Sequence, residues 1–425
     1  MWLINVESMK LEEFTPPHLP KYAILSHTWG EDEVTFREFC DLESLELSQK
    51  KGGREKIRMT CELAADRDIP YAWVDTCCID KSSSAELSEA INSMFEWYRL
   101  SAENLYVCRW FRRGWTLQEL LAPTVLEFYD SEWNLRVLKS DPDAIEQLSR
   151  MTGIRQRVLQ FTDRIWNTDV GERMSWASQR ETTRLEDQAY CLFGIFQVNM
   201  PMLYGEGTRA FQRLQEEIIK NNHDMSIFCW EVNHTQPKYR GFLARSPAEF
   251  ASYPDLTLSS RDHVLWSRQS LEDFSITNKG IRIHAEIVQI SYGDQHMATL
   301  KCSIASFSNV ILIPIRHYQD NVYVRANSRV IISQYNINTF DNKQIYLAKD
   351  IDDQKSHKVD ISAKSSDARF IIVPPQAPFQ LVREKQWPEA SWNSNGYVSE
   401  YCDSASGLAK PTSHFVACAT YKTAS

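Results

Sequence analysis

Two apolar runs constrain this chain most. Tyr22-Ala23-Ile24-Leu25-Ser26 and Tyr71-Ala72-Trp73-Val74-Asp75-Thr76 are of strand length, show little alternation of apolar with polar side chains, and finish in polar residues. A strand without a wet face is buried on both sides, which is how parallel sheets covered by helices read. The intervening sequence agrees. After Gly52-Gly53, the residues Ile57, Cys61, Ala64 and Ala65 share one helical face, and Asp68-Ile69-Pro70 closes that helix. Ser83-Ser84-Ala85-Glu86 reads as a capping box opening a second helix, with Leu87, Ala90, Ile91, Met94 and Tyr98 as its apolar stripe. Leu105-Tyr106-Val107 is expected as a third strand, Gly114 to Pro123 as a short helix, and Val125 to Tyr129 as a fourth strand.

In such sheets ligands bind beyond the carboxyl ends of the strands. Those ends carry Ser26 to Gly30, Asp75 to Cys78, and the segment running into Glu119. Within the short helix Thr116 is placed to cap the start, Leu117, Leu120 and Leu121 to be buried, and Glu119 to lie at the rim of the buried face. Alone, a helical glutamate of this kind is ordinarily a solvated one. His27 fits either a structural hydrogen-bonding role or catalysis, and Asp75 either caps the next turn or faces the crevice. Cys77 and Cys78 read as buried small residues rather than nucleophiles.

Length and composition bound the rest. A chain of 425 residues has room for two or three domains, and 43% hydrophobic with 24% charged residues suits a soluble globular protein. A net charge of -9 argues against nucleic acid as a partner. The ten cysteines include no C-x-x-C pair, so neither a zinc site nor a disulfide scaffold is expected, and no metal. Met1 to Val6 lacks the marks of a signal peptide, and the longest mostly apolar run, Cys191 to Tyr204, is too short to span a bilayer. A cytoplasmic protein without a membrane span is expected.

From about 140 to 230 the pattern is helical, with helices expected after Asp141-Pro142, over Leu185 to Phe196, and over Thr208 to Lys220. Beyond Gly241 it changes to alternation: Ile281, Ile283, Ala285 and Ile287 in one run, and Ala298, Leu300, Cys302 and Ile304 in another. That is antiparallel sheet with one wet face. Further strand-like runs are Val310 to Ile315, Val322 to Arg325, Phe370 to Val373 and Phe415 to Thr420, with a loop over Ser391 to Ser413. The expected division is residues 1–135, 136–235 and 236–425. Gly205-Glu206-Gly207-Thr208-Arg209-Ala210 fits the G-x-G-x-x-A dinucleotide pattern, but it follows a poor strand and lacks a clear acidic ribose partner, so a helix-start turn is the better reading.

Three phrases taken together are far more specific: Tyr22 to Gly30 (YAILSHTWG), Tyr71 to Asp80 (YAWVDTCCID) and Gly114 to Leu120 (GWTLQEL). They resemble, nearly word for word, the three blocks of the fungal heterokaryon incompatibility (HET) domain. Tyr204-Gly205-Glu206-Gly207 with Phe211 to Ile218 resembles the segment that trails it. The resemblance covers about residues 1 to 230. One departure stands out: in family members a longer insert separates the third strand from the Arg-Gly-Trp block, whereas Val107-Cys108-Arg109-Trp110 runs almost directly into it.

The resemblance implies a cell-death effector in allorecognition, with itself or other death-signalling proteins as partners. Its order of elements is also similar to a TIR domain, which implies a flavodoxin-like parallel sheet with helices on both faces. In enzymatic TIR domains the glutamate of the matching phrase cleaves NAD, so the resemblance gives that role to Glu119. Ser26, His27 and Asp75 are then candidates for binding ribose or phosphate, and Trp29 or Trp115 for stacking on a flat ring, Trp115 serving equally as a core tryptophan. NAD is here a substrate, and no cofactor is implied. A lone carboxylate suits this chemistry, because nicotinamide departs from NAD as a neutral molecule and needs no acid. The rival expectation is a non-catalytic death-signalling module that acts by homotypic assembly.

Overall fold

Short polar turns decide the edges of the first sheet. In the computed structural model, which describes residues 1–15, 18–41, 50–101, 103–106, 110–231, 239–253, 274–289, 296–299, 310–326, 331–333, 341–351, 379–381 and 421–423, the chain opens with strands β1 (Trp2–Asn5) and β2 (Lys10–Glu13). The Asn5 side chain accepts from the Glu7 and Ser8 amides at 3.1 and 3.0 Å, and Met9 takes a positive φ of 52°. Such a turn joins neighbours only as an antiparallel hairpin.

Strands β3 (Tyr22–Ser26), β4 (Tyr71–Val74), β5 (Glu103–Tyr106) and β6 (Glu127–Tyr129) are parallel to one another. Strand β7 (Leu135–Leu138) turns back antiparallel on β6, around Asp130, whose Oδ1 accepts from the amides of Glu132 and Asn134, both at 2.9 Å. The spatial order is β2-β1-β4-β3-β5-β6-β7. The sheet is therefore mixed, and the wholly parallel sheet expected from sequence is corrected: four parallel strands carry antiparallel neighbours on both sides. Numbered among themselves, the parallel strands lie in the order 2-1-3-4.

Helices α1 (Phe36–Cys40) and α2 (Lys51–Ala65) connect β3 to β4, α3 (Ser84–Leu100) connects β4 to β5, and α4 (Thr116–Leu121) precedes β6. Successive residues of β3 meet helices on opposite faces. Tyr22 donates its hydroxyl to Trp97 O of α3 at 2.5 Å, while Ala23 packs with Ala64 at the end of α2 and with Ile69. Every side chain of β3 is buried as a result. At the start of α3 the capping box is half formed. Ser83 Oγ accepts from the Glu86 amide at 3.3 Å, but the Glu86 carboxylate turns to the Asp80 amide at 2.8 Å.

The helical region comprises α5 (Pro142–Thr152), α6 (Gln156–Gln160), α7 (Val170–Ser175), α8 (Asp187–Tyr190), α9 (Phe193–Phe196) and α10 (Arg209–Asn221). The single helix expected over Leu185 to Phe196 is broken into α8 and α9. There the chain bends so that Gly194 lies against Phe95 of α3, so closely that a Cβ would sit 2.0 Å from the Phe95 Cβ. Further on, strands between Tyr239 and Leu347 form a second sheet, antiparallel except where Val322–Ala326 runs parallel to Asp341–Leu347. Its inward side chains Ile281, Ile283, Ile313, Ile315, Ile345 and Leu347 join the same continuous apolar core as Leu3 and Ile24. The expected strands at 370–373 and 415–420, the loop at 391–413, the join at 107–109, and Leu300, Cys302 and Ile304 lie outside the described residues. Among the described residues no helix is long and apolar enough to cross a membrane.

Gly194 thus sets how closely the helical region lies on α3. Gly194→Ala is expected to cost about 1–3 kcal/mol by overpacking, measured as a lower denaturant midpoint with an unchanged slope.

Candidate functional site

A strand buried on both faces delivers its last side chain into the interior. Ser26, ending β3, is fully buried, and its hydroxyl donates to Oε2 of Glu119, which lies 93 residues along the chain. The two meet because α4 packs against α3 on the face of the sheet to which Tyr22 and Ser26 both point. Glu119 is only 7% exposed. It sits inside the buried face that it was expected to rim, since all six residues of α4 are buried.

The floor of this site is Trp110, a residue that the sequence did not single out. Its indole N–H donates to Ser26 Oγ and also reaches Glu119 Oε2 at 3.2 Å. Tyr98, on the α3 stripe, has its hydroxyl beside the same carboxylate, and burial with that charge raises the phenol well above its ordinary value. Thr116 does not cap α4 as expected. It is the first helical residue, and its hydroxyl donates back to Trp110 O and Arg113 O at 2.6 and 2.9 Å. The Arg180 guanidinium reaches in from the helical region to Arg113 O at 2.8 Å and Thr116 Oγ1 at 2.9 Å. At the other end of α4, buried Lys139 donates to Leu120 O and Pro123 O at 3.0 and 2.7 Å. The Leu120 carbonyl lies in the last turn of the helix, where it has no partner within it, and Pro123 follows just beyond the cap. No motif marks Trp110, Arg180 or Lys139, although Trp110 stands in the Arg-rich run just before the third phrase.

Burial is the largest influence on Glu119, and it pushes the carboxyl up to about 7. The Ser26 hydrogen bond opposes that rise, the nearby Asp75 charge adds to it, and the Trp110 bond and the Arg113 charge oppose it. The group therefore changes charge near neutrality, the range that suits proton transfer or cation stabilisation at ordinary pH.

A second cluster lies at the ends of β3 and β4. The Trp29 indole N–H donates to Asp75 Oδ2 at 2.7 Å, and the Lys81 ammonium rests 3.6 Å from the Trp29 ring centre. Trp29 itself is 46% exposed. His27 is buried, with Nε2 at 3.3 Å from Glu33 Oε2 and Nδ1 at 3.8 Å from Asp75 Oδ1. Glu33 is also paired with Lys56. Burial pushes the Glu33 carboxyl up, but His27, Lys56 and the Gly30 amide outweigh it and hold the group at about 2. The fold thus gathers Ser26, His27, Trp29, Asp75 and Glu119 at one end of the parallel strands. Trp115 is engaged elsewhere: it is half-buried against the core and lies near the Asp187 carboxyl of α8, whose charged form it favours. The Gly205-Glu206-Gly207 turn holds an anion of its own, since the Gly205 and Gly207 amides both donate to Glu186 Oε1, at 2.7 and 2.9 Å.

The raised Glu119 carboxyl ties stability to pH. The unfolded chain releases this proton near 4.5 and the folded one near 7, so the contribution is fully present below pH 4.5 and is lost as pH rises through 7. Glu119→Gln is expected to match the parent near pH 4 and to be more stable by about 3 kcal/mol above pH 7, read from thermal unfolding across the pH range.

Residues 22–109 match the family described as heterokaryon incompatibility protein (HET). Residues 209–241 match a domain of unknown function (DUF8212). Over 232 residues the chain is 43% identical to the vegetative incompatibility protein HET-E-1 of Podospora anserina, an overlap that takes in 48% of this chain and 16% of that protein. No solved structure matches the chain. Residues 22–109 thus resemble a heterokaryon incompatibility domain, in a chain that is similar, over about half its length, to a vegetative incompatibility protein and spans only a small part of that relative's length.

Proposed function

We propose that the protein is a cell-death effector in fungal heterokaryon incompatibility, and that its HET domain hydrolyses NAD at the bond between nicotinamide and ribose. One observation carries this reading: a single buried carboxylate, raised to about 7, meets the tip of β3. That tip is where the parallel order reverses, between β3 and β5. The order 2-1-3-4 with helices on both faces supports a flavodoxin-like, TIR-like core, in which ligands bind at such a switch point.

In the proposed reaction the bond from ribose C1′ to the nicotinamide nitrogen breaks, and its electron pair passes to the pyridinium ring, which leaves neutral. Positive charge develops on the ribose, where the Glu119 carboxylate faces it. Water then adds to C1′ and gives up a proton, leaving ADP-ribose. Ser26 orients Glu119. Trp29 offers the exposed aromatic face, and His27 and Asp75 bind ribose or phosphate. Trp115, half-buried against the core and near Asp187, braces the domain against the helical region instead of stacking on substrate. The catalytic unit then takes in residues 1–135 together with the 136–235 region that supplies Arg180, and the β-rich part beyond residue 236 shares its apolar core. The protein works in the cytoplasm as a self-associated species or with other death-signalling proteins.

The depth of Glu119 also fits the rival reading, a non-catalytic module assembling with its like, in which the acid only secures the fold. Purified, concentrated protein incubated with NAD separates the two. Nicotinamide release that rises with pH through about 7 and falls at least 100-fold in Glu119→Ala is expected. No release from self-associated protein, with toxicity in cells surviving Glu119→Ala, would leave assembly alone.

A further inference from the structure

We propose that Trp110 is a positioning residue for Glu119: its indole N–H ties Ser26 Oγ and Glu119 Oε2 together and so fixes where the carboxylate lies against the end of β3. The functional weight of this rests on the NAD-hydrolysis reading, but the geometry does not. Trp110 is completely buried, set edge-on between Phe111 and Phe128 with ring centres 5.4 and 6.2 Å away. Its carbonyl accepts the Thr116 hydroxyl, so the indole and the start of α4 are one rigid piece.

The asymmetry between the two donors gives Trp110 its role. A serine hydroxyl rotates, and both donates and accepts; an indole has one N–H in a fixed plane and only donates. Because Trp110 occupies an acceptor position on Ser26 Oγ, the Ser26 proton is directed onward to Glu119. Both bonds favour the charged carboxylate. Among the described residues, the other titratable groups facing it are Asp75 beyond β4, Tyr98 on α3, Arg113 before α4 and Arg180 from the helical region. Asp75 opposes its ionisation, and Arg113 acts on it through charge. Among the described residues, Trp110 alone hydrogen-bonds both the carboxylate and the residue that orients it.

The test replaces Trp110 with benzothienylalanine, which keeps the ring volume and lacks the N–H, and follows Glu119 ionisation by infrared difference against Glu119→Gln. Loss of a donor to a charged acceptor is expected to move the midpoint up by about one pH unit, and the pH profile of nicotinamide release by the same amount. Ser26→Ala, which breaks the bridge from its other end, is expected to shift the midpoint in the same direction. An unmoved midpoint in the benzothienyl protein overturns the role of Trp110, whatever Ser26→Ala does. A midpoint that moves in protein releasing no nicotinamide upholds the positioning and rejects the hydrolysis.

Discussion

The rest of the structure depends on keeping one carboxylate out of water. Removing such a group from solvent costs several kcal/mol unless donors replace the lost hydration. Here two neutral donors do so in part, the Ser26 hydroxyl and the Trp110 indole, and the shortfall remains as the raised ionisation of Glu119. Each neighbouring element contributes a condition. Strand β3 must be buried on both faces for its last residue to sit inside. Helix α4 has six residues, too few to hold together on its own. It is fastened through Thr116 and Arg180 at its start and through Lys139 at its end.

The helical region is accordingly part of the site's support. Beyond Arg180, the Glu181 amide donates to Arg112 O at 2.6 Å and its carbonyl accepts from the Gly114 amide at 2.9 Å, so the chain pairs briefly with the segment leading into α4. Gly114 lies so close to Thr182 that a Cβ would stand 2.6 Å from its Cγ2. The glycine pair at 205 and 207 follows the same logic. Converging amides in a glycine turn form an anion site, and the chain fills it with its own Glu186. A G-x-G-x-x-A spacing records that such amides converge, and the identity of the anion is settled by the fold.

What the sequence made legible follows from period and phrase. The lack of polar alternation in Tyr22 to Ser26 and Tyr71 to Thr76 marked the parallel centre, and the apolar spacing of α2 and α3 marked most of their buried faces, although Ala65, expected on the α2 face, is exposed. The edge strands escaped because β1, β2 and β7 have four residues each, too short for a period to register. The convergence of Ser26 and Glu119 followed from the parallel-sheet reading, which puts Ser26 to Gly30 and the segment running into Glu119 at the same strand ends; the hydrogen bond between them had no local signal. Trp110 and Arg180 were invisible for a different reason. Their importance lies in one hydrogen-bonding atom each, aimed by contacts far away in sequence, and an indole reads in sequence as core.

The kind of donor around Glu119 bears on its purpose. An acid meant only to secure a fold is best served by a guanidinium in direct contact, which would hold its ionisation low and neutralise its charge, as His27 and Lys56 do for Glu33. Glu119 is treated differently. Arg113 acts on it through charge alone, and Arg180 bonds Arg113 O and Thr116 Oγ1 instead. The carboxylate is left oriented by neutral groups and poorly neutralised, in surroundings that screen charge weakly. Such a group gains most when a positive charge appears beside it, which is the condition created as nicotinamide departs from ribose. Direct neutralisation would stabilise the fold and weaken that response, and it is on this arrangement of neutral donors that the proposed hydrolysis would draw.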